Sequence, residues 1–444
     1  MEAPDQHNAD SIIKLPRDVM QLILTFLPVK DAAKTATLSR QWRHNWRSNT
    51  RFVFDSDFGE ISEEGDYGSK ANALMLAIYR ALLVHDGPVT KFMLKIPGLR
   101  PCPDINHIVH FLAKKGVQEV ALIFIDNEDD GSWREMPSAL FSARELSSLI
   151  LKDCDFSRAP SWFLGFTKLT HLWLESVDAD SGFYDDFLPK CPLLKHLTLF
   201  IRDTNAMESR GKAELVAPSL EVFKSNVWNI CFRHTPLLSE VVIETQPEDY
   251  ARSDFGAYNP DVAAVFASLP AIQKLFVSLE WMKFLASGNF PVMLPTRLCQ
   301  LKSLENQIVL YHSSEARLLL CLIRSSPNLQ RLYILLCDAP SSLPPTELID
   351  SLQLLLEAEC VPPASCFQCL EEFAIHGFTG TLIELDLVRL ALTSAPQLRT
   401  LFIYPEVNSD LRKDVKVLME VTRYKRASTE AEVRYVWKEQ ADTS

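Results

Sequence analysis

Glycine is scarce in this chain, with 14 residues among 444. An ordinary protein of this length holds about thirty, so little backbone here is of the close-approach kind that phosphate-cradling loops require. Consistent with that, the chain contains no Gly-x-x-x-x-Gly-Lys, no Gly-x-Ser-x-Gly and no His-Glu-x-x-His, the spacings that mark nucleotide, acyl-enzyme and zinc-protease chemistry. Long apolar runs are missing too. The longest uncharged stretches, such as 73–79 and 318–323, fall well below the roughly 18 residues that cross a bilayer. Residues 1–10 carry Glu2, Asp5 and Asp10 without an apolar stretch, which does not read as a secretory signal. The expected location is the cytoplasm or nucleus. Ten cysteines are spread along a long chain whose start does not read as a secretory leader, which favours reduced thiols over a disulfide framework.

Charge is unevenly distributed. Residues 11–51 hold eight Lys or Arg against Asp18 and Asp31, a balance of +6; residues 1–10 contribute −3, and an overall −12 leaves −15 on the remainder. An acidic body is a poor surface for nucleic acid, whereas the small basic segment suits an acidic protein partner.

What the chain has in abundance is one frame, apolar-x-x-apolar-x-apolar. It starts at Val89, Val117, Leu146, Leu169, Leu194, Leu238, Ile272, Leu329, Leu370 and Leu398, with degenerate copies at Leu220 and Leu301. Most neighbouring starts are 23–34 residues apart, close to the spacing of a leucine-rich repeat. Two copies run on to Cys154 and Cys337, where that repeat places Asn or Cys. Alternate side chains of a strand share a face, so the two later apolar positions of each frame point one way. One copy cannot bury them alone, but a stack of parallel strands can. A proline lies two places before the first apolar residue at 192, 218, 236, 270, 327 and 396, where it is expected to end the preceding arc and hold its neighbour extended. The predicted fold is α/β, a repeat solenoid with a parallel sheet.

Residues 15–47, LPRDVMQLILTFLPVKDAAKTATLSRQWRHNWR, stand outside the repeat. Pro16 suits a first helical position, and Val19, Leu22, Ile23 and Phe26 form an amphipathic stripe ending before Pro28. A second short helix is expected near Asp31. Ser39 suits an N-cap for a third helix, with Trp42 and Trp46 on one face. Three short helices make a poor independent core, so their apolar faces should find a partner.

Leu-Pro-x-x-Val, Ile-Leu, LPVKDA and LSRQWRHNW together closely resemble the F-box of plant proteins, apart from Asn45, where an apolar residue usually precedes the second Trp. The resemblance implies a hook that docks on the S-phase-kinase-associated adaptor of a cullin-based ubiquitin ligase. Leu15, Pro16, Val19, Ile23, Leu27, Leu38 and Trp42 would form or adjoin the docking surface, with Trp46 packing the last helix. Residues 369–404, CLEEFAIHGFTGTLIELDLVRLALTSAPQLRTLFIY, resemble the FBD domain that closes such proteins, through the Cys, the Gly-Phe-x-Gly, the Glu-Leu pair and the Ala-Pro-x-Leu. The organisation expected is thus a disordered start at 1–10, an F-box at 11–51, a linker at 52–72, the repeat solenoid at 73–359, an FBD domain continuing it at 360–436, and a flexible tail at 437–444.

Two clusters invite a metal reading. Cys366-x-x-Cys369 near Cys360 lacks a second pair at finger spacing; His107 and His110 lie off the apolar face of Ile105, Ile108, Val109 and Leu112. No metal and no cofactor is therefore expected, and no catalytic residue. The better candidate is the outer column of the strands: His171, Trp173 and Glu175; His196, Thr198 and Phe200; Lys274, Phe276 and Ser278; Arg331, Tyr333 and Leu335; Glu372, Ala374 and His376; Thr400, Phe402 and Tyr404. Exposed aromatics anchor interfaces, so Trp173, Phe200, Phe276, Tyr333, Phe402 and Tyr404 are the expected substrate-binding residues on the concave sheet face. The functional expectation is a non-catalytic substrate receptor of a ubiquitin ligase, with an unidentified protein substrate and no nucleic-acid or membrane partner. The alternative is a repeat scaffold or small-molecule receptor outside any ligase.

Overall fold

The computed structural model describes residues 15–59, 67–96, 99, 103–124, 136–154, 159–178, 182–202, 213–227, 230–244, 259–337, 367–406 and 411–437. The expectations for residues 1–10, the centre of the 52–72 linker, Cys360, Cys366 and 438–444 lie outside these. The chain forms two compact units, Met1–Ala213 and Glu214–Ser444.

The first unit opens with three helices, α1 (Arg17–Phe26), α2 (Val29–Thr35) and α3 (Arg40–Trp46). Pro16 is the N-cap of α1 rather than its first residue. The second helix begins two residues before Asp31, directly after Pro28. Ser39 caps α3 as its sequence suggests, its side chain accepting from the Trp42 amide at 3.2 Å. Trp42 and Trp46 are both buried. The Trp46 ring meets Phe52 edge-on at 5.9 Å, which fastens the helical module to the first strand.

Six parallel strands follow in chain order: β1 (Arg51–Phe54), then after α4 (Tyr67–Leu83) β2 (Lys91–Leu94), after α5 (Pro103–Lys114) β3 (Glu119–Ile123), and β4 (Ser148–Lys152), β5 (His171–Val177) and β6 (His196–Ile201). Their registers align Phe52, Phe92, Val120, Leu149, Leu172 and Leu197 in one inward row. None of the six is more than 2% exposed, so each contributes roughly 1.5–3 kcal/mol of apolar burial to the stack.

In the second unit, β7 (Ala213–Val216) and β9 (Ile230–Arg233) make a separate two-stranded sheet. The main parallel sheet runs β8 (Val222–Ser225), β10 (Glu240–Ile243), β11 (Lys274–Val277), β12 (Ser303–Ile308), β13 (Arg331–Leu336), β14 (Glu372–Phe378), β15 (Thr400–Pro405) and β16 (Glu432–Tyr435). Helix α6 (Val262–Ala267) precedes β11, α7 (Leu279–Ser287) and α8 (Ser313–Ser325) follow β11 and β12, and α9 (Leu382–Ser394) and α10 (Leu411–Val421) follow β14 and β15. Here the inward row is Phe223, Val241, Leu275, Leu304, Leu332, Phe373, Leu401 and Val433.

Every one of the twelve frame starts lies two residues before a strand. The prolines do something more specific than end an arc. Each occupies the second place of a four-residue turn whose last amide, that of the first apolar residue of the frame, bonds back across it. Examples are Leu194 to Cys191 at 3.1 Å, Leu220 to Ala217 at 3.2 Å and Leu329 to Ser326 at 3.2 Å. A fixed φ near −65° suits that place. The same turn forms without proline at Leu169 to Phe166 and Leu370 to Phe367, so proline reinforces the turn and is not required for it.

The first unit's sheet begins earlier, and the second unit's ends later, than the frame indicates. Arg51–Phe54 is already a strand paired to β2, where a linker from residue 52 is expected, because Phe52 and Phe54 are wholly buried. The place two before that strand holds Asn49, whose side chain donates to the Arg51 carbonyl at 2.9 Å; Glu430 takes it ahead of the last.

The Gly-Phe-x-Gly signature has a conformational cause. Gly377 and Gly380 both adopt positive φ, +74° and +76°. A register shift at Gly377 bulges β14, and Phe378 turns inward at 1% exposure. Glu384 in the first turn of α9 reaches back to accept from the Thr379 amide, the Gly380 amide and the Thr379 hydroxyl, each at 2.8 Å.

Candidate functional site

Two surfaces present side chains that the fold leaves without internal use. The first is the outer face of α1. Its internal contacts are made by Met20 and Leu24, at 0% and 1% exposure. The apolar stripe read from the sequence points the other way: Val19, Leu22 and Phe26 are 40%, 58% and 77% exposed, and Leu38, beyond the end of α2, is 52% exposed. Leu15, Ile23 and Leu27 are half-buried, and Pro16 is exposed. Trp42, expected at or beside this surface, is 1% exposed and lies inside the module rather than on its surface. Leu22 and Phe26, which are not among the expected docking residues, lie on the same stripe by their i, i+3, i+7 spacing from Val19. Asn45, the departure from the F-box pattern, is buried and donates to the Met20 sulfur at 3.3 Å. Arg17, Lys30, Lys34, Arg40, Arg43, Arg47 and Arg51 are all exposed, so the basic balance of the module is displayed at its surface.

The second surface is the outward face of the strands, which differs in the two units. In the first, His171 and His196 stand in register on β5 and β6 and stack face to face, with ring centroids 4.5 Å apart. Partial burial, and then the neighbouring His196, hold His171 below the ordinary histidine range. Next along the strand, Trp173 is 46% exposed and its indole N–H donates to Glu175 at 3.1 Å, while Glu175 pairs with Lys152 at 2.7 Å. Phe200 faces Glu175 across β6, half-buried.

In the second unit, Phe276, Tyr333, Phe402 and Tyr404 all take outward positions and are half-buried. Tyr404 stacks on His376 at 4.0 Å, Arg434 lies over the Phe402 ring at 5.8 Å, and the Tyr333 hydroxyl donates to Glu372 at 2.8 Å. Burial first, and then that bond to an anion, push Tyr333 up to about 12. Two residues expected to be exposed in this column are buried. Ser278 is 1% exposed because the chain has already turned there to become the N-cap of α7. Ala374 is 2% exposed because its short side chain lies in register between Tyr333 and Phe402.

Among the described residues no group of three or more His, Cys, Asp or Glu is placed to hold a metal. His107 and His110 are exposed on α5, and no described helix is long and apolar enough to cross a membrane. Burial raises the thiols of Cys191 and Cys337, to about 12 and about 11, the opposite of an activated nucleophile.

The chain is similar to known proteins over most of its length. Residues 12–54 match the F-box domain, and residues 105–334 match the family model described as FBD-associated F-box protein At5g56370, LRR repeats. The chain is 27% identical over 430 residues to the F-box/FBD/LRR-repeat protein At1g13570 of Arabidopsis thaliana, covering 96% of this chain and 98% of that protein. It is 25% identical over 445 residues to the FBD-associated F-box protein At5g56370 of the same plant, covering 96% and 99%. Over a shorter span of 197 residues, 44% of this chain and 41% of the relative, it is 31% identical to F-box/FBD/LRR-repeat protein At3g52680.

Proposed function

Because the chain belongs to the plant F-box proteins with FBD-associated leucine-rich repeats, we propose that it is the substrate-recognition subunit of an SCF-type, cullin-RING ubiquitin ligase. In this reading the helical module docks on the S-phase-kinase-associated adaptor, and through it on cullin, while the outward strand face holds the protein to be ubiquitinated. The chain does no bond chemistry itself. It raises the effective concentration of a target beside a charged conjugating enzyme.

The observation that carries this is the outward stripe of α1. Val19, Leu22 and Phe26 leave large apolar surface in water along one face of α1, and Leu38 is exposed as well, on a small module that also displays its cations. Contiguous exposed apolar surface rimmed by charge marks a protein interface, and the surrounding +6 balance suits an acidic partner. Leu15, Pro16, Ile23 and Leu27 flank the stripe. On the strand face, Trp173, Phe200, Phe276, Tyr333, Phe402 and Tyr404 are the anchors proposed for the substrate.

The test is a pull-down of the adaptor with the full-length chain, comparing wild type with Leu15→Ala/Pro16→Ala and with Phe26→Ser. The reading expects capture by wild type and loss in both variants. No capture by wild type, or full capture by both variants, would leave a scaffold or small-molecule receptor outside any ligase.

A further inference from the structure

The acids on the second unit's strand face are matched with partners almost one for one. Glu240 lies between Lys224 at 3.2 Å and Lys274 at 3.5 Å, Glu432 holds Arg434 at 2.8 Å, and Glu372 accepts from Tyr333. Glu305 and Glu244 are the exceptions; Glu305, exposed on β12, has no side-chain hydrogen bond or ion pair among the described residues. Its register neighbours are Phe276 on β11 and Tyr333 on β13. Strands pair at about 4.8 Å, so the two rings stand roughly 10 Å apart with the carboxylate between them. Tyr333 cannot swing freely, being tied through its hydroxyl to Glu372.

We propose that Glu305 and the flanking rings of Phe276 and Tyr333 form a docking slot for one lysine or arginine side chain of an extended, basic segment of the protein substrate. The slot deepens the substrate-receptor reading and rests on it. A cation between two aromatic walls meets the negative faces of both rings and an unspent carboxylate at once. The same face already holds such a contact internally, in Arg434 over Phe402. Partial burial, together with the nearby charge of Glu244, makes ionised Glu305 costly in the free chain; an incoming cation relieves both. A body carrying −15 outside the first 51 residues draws the same kind of partner from a distance. Glu305 is exposed and its flanking rings are only half-buried, so a free ammonium would gain little burial there. A peptide laid across the strands brings neighbouring contacts with it.

Random twelve-residue peptides displayed on phage can be selected against the full-length chain. The enriched peptides are then measured by fluorescence anisotropy with wild type, Glu305→Gln and Glu305→Lys. Enriched peptides should share a Lys or Arg whose replacement by norleucine weakens binding about tenfold. Glu305→Gln should weaken the cationic peptide by a similar factor and leave its norleucine form unchanged. Glu305→Lys should prefer a version carrying Glu at that place. Because the residue is exposed and unpaired, Glu305→Gln should not lower the thermal midpoint below that of wild type, which separates a binding loss from misfolding. Enrichment without Lys or Arg, or equal affinity of wild type and Glu305→Gln for the cationic peptide, overturns the slot. Adaptor capture by the same preparation is scored separately: a chain that captures adaptor but selects no cation loses only the slot, and one that selects the cation but captures no adaptor loses only the ligase.

Discussion

Replacing Glu384 with alanine removes the acceptor of three donors at once. The carboxylate is 3% exposed and holds the Thr379 and Gly380 amides and the Thr379 hydroxyl at 2.8 Å each. A buried donor left without a partner costs about 1–3 kcal/mol. Thr379 and Gly380 are themselves half-buried, so water recovers part of that, and the variant should lose about 3–4 kcal/mol. Glu384→Gln is the discriminating companion. Both amides bond to the same carboxylate oxygen, which the glutamine oxygen can replace, while its NH2 can donate to the Thr379 hydroxyl. Only the charge assistance is lost, about 1–2 kcal/mol. Urea unfolding followed by circular dichroism gives the two midpoints, and limited proteolysis assigns the loss to residues beyond 367. If Glu384→Gln proves as damaging as Glu384→Ala, or if alanine costs less than about 1 kcal/mol, the carboxylate is not the clasp of this coil and the reasoning fails.

Glu315, at the start of α8, makes a related contact by accepting from the Val309 amide at 2.9 Å, but burial pushes it up to about 7. A carboxyl raised by folding stabilises fully below its unfolded value near 4.5, and that contribution is lost as pH rises through about 7. Wild type should therefore lose about 3 kcal/mol relative to Glu315→Gln between pH 4.5 and 7.5; parallel denaturation curves across that range contradict it. Gly165 has φ +117°, and a Cβ there would press on the carbonyl of Lys190. Gly165→Ala should lower stability by roughly 1–3 kcal/mol, and an unchanged melting temperature would show that the loop gives way without strain.

Much of the fold was legible because one pattern served two purposes. The frame that places Leu149, Leu172 and Leu197 on one face also sets the turn before each strand, so every start found in the sequence proved to be a coil. The end strands escaped because their first frame position carries Asn49 and Glu430, polar residues where the repeat has Leu. Ser278 left its expected column because a helix begins there, a local event that alternation cannot register. The stripe on α1 was visible as a pattern, but its direction was not. Periodicity shows that Val19, Leu22 and Phe26 share a face, while only the packing of Met20 and Leu24 shows that this face looks outward. Glu305 could not be singled out at all, since being unpaired is a property of its neighbours across two strands.

Hydrogen exchange of the full-length chain, with and without the S-phase-kinase-associated adaptor, tests the account most directly. The predicted result is slowed exchange across α1 and α2, residues 17–35, with the strand amides at 171–177, 196–201 and 331–336 unchanged. Protection confined to the strands, or none anywhere at saturating adaptor, would contradict it.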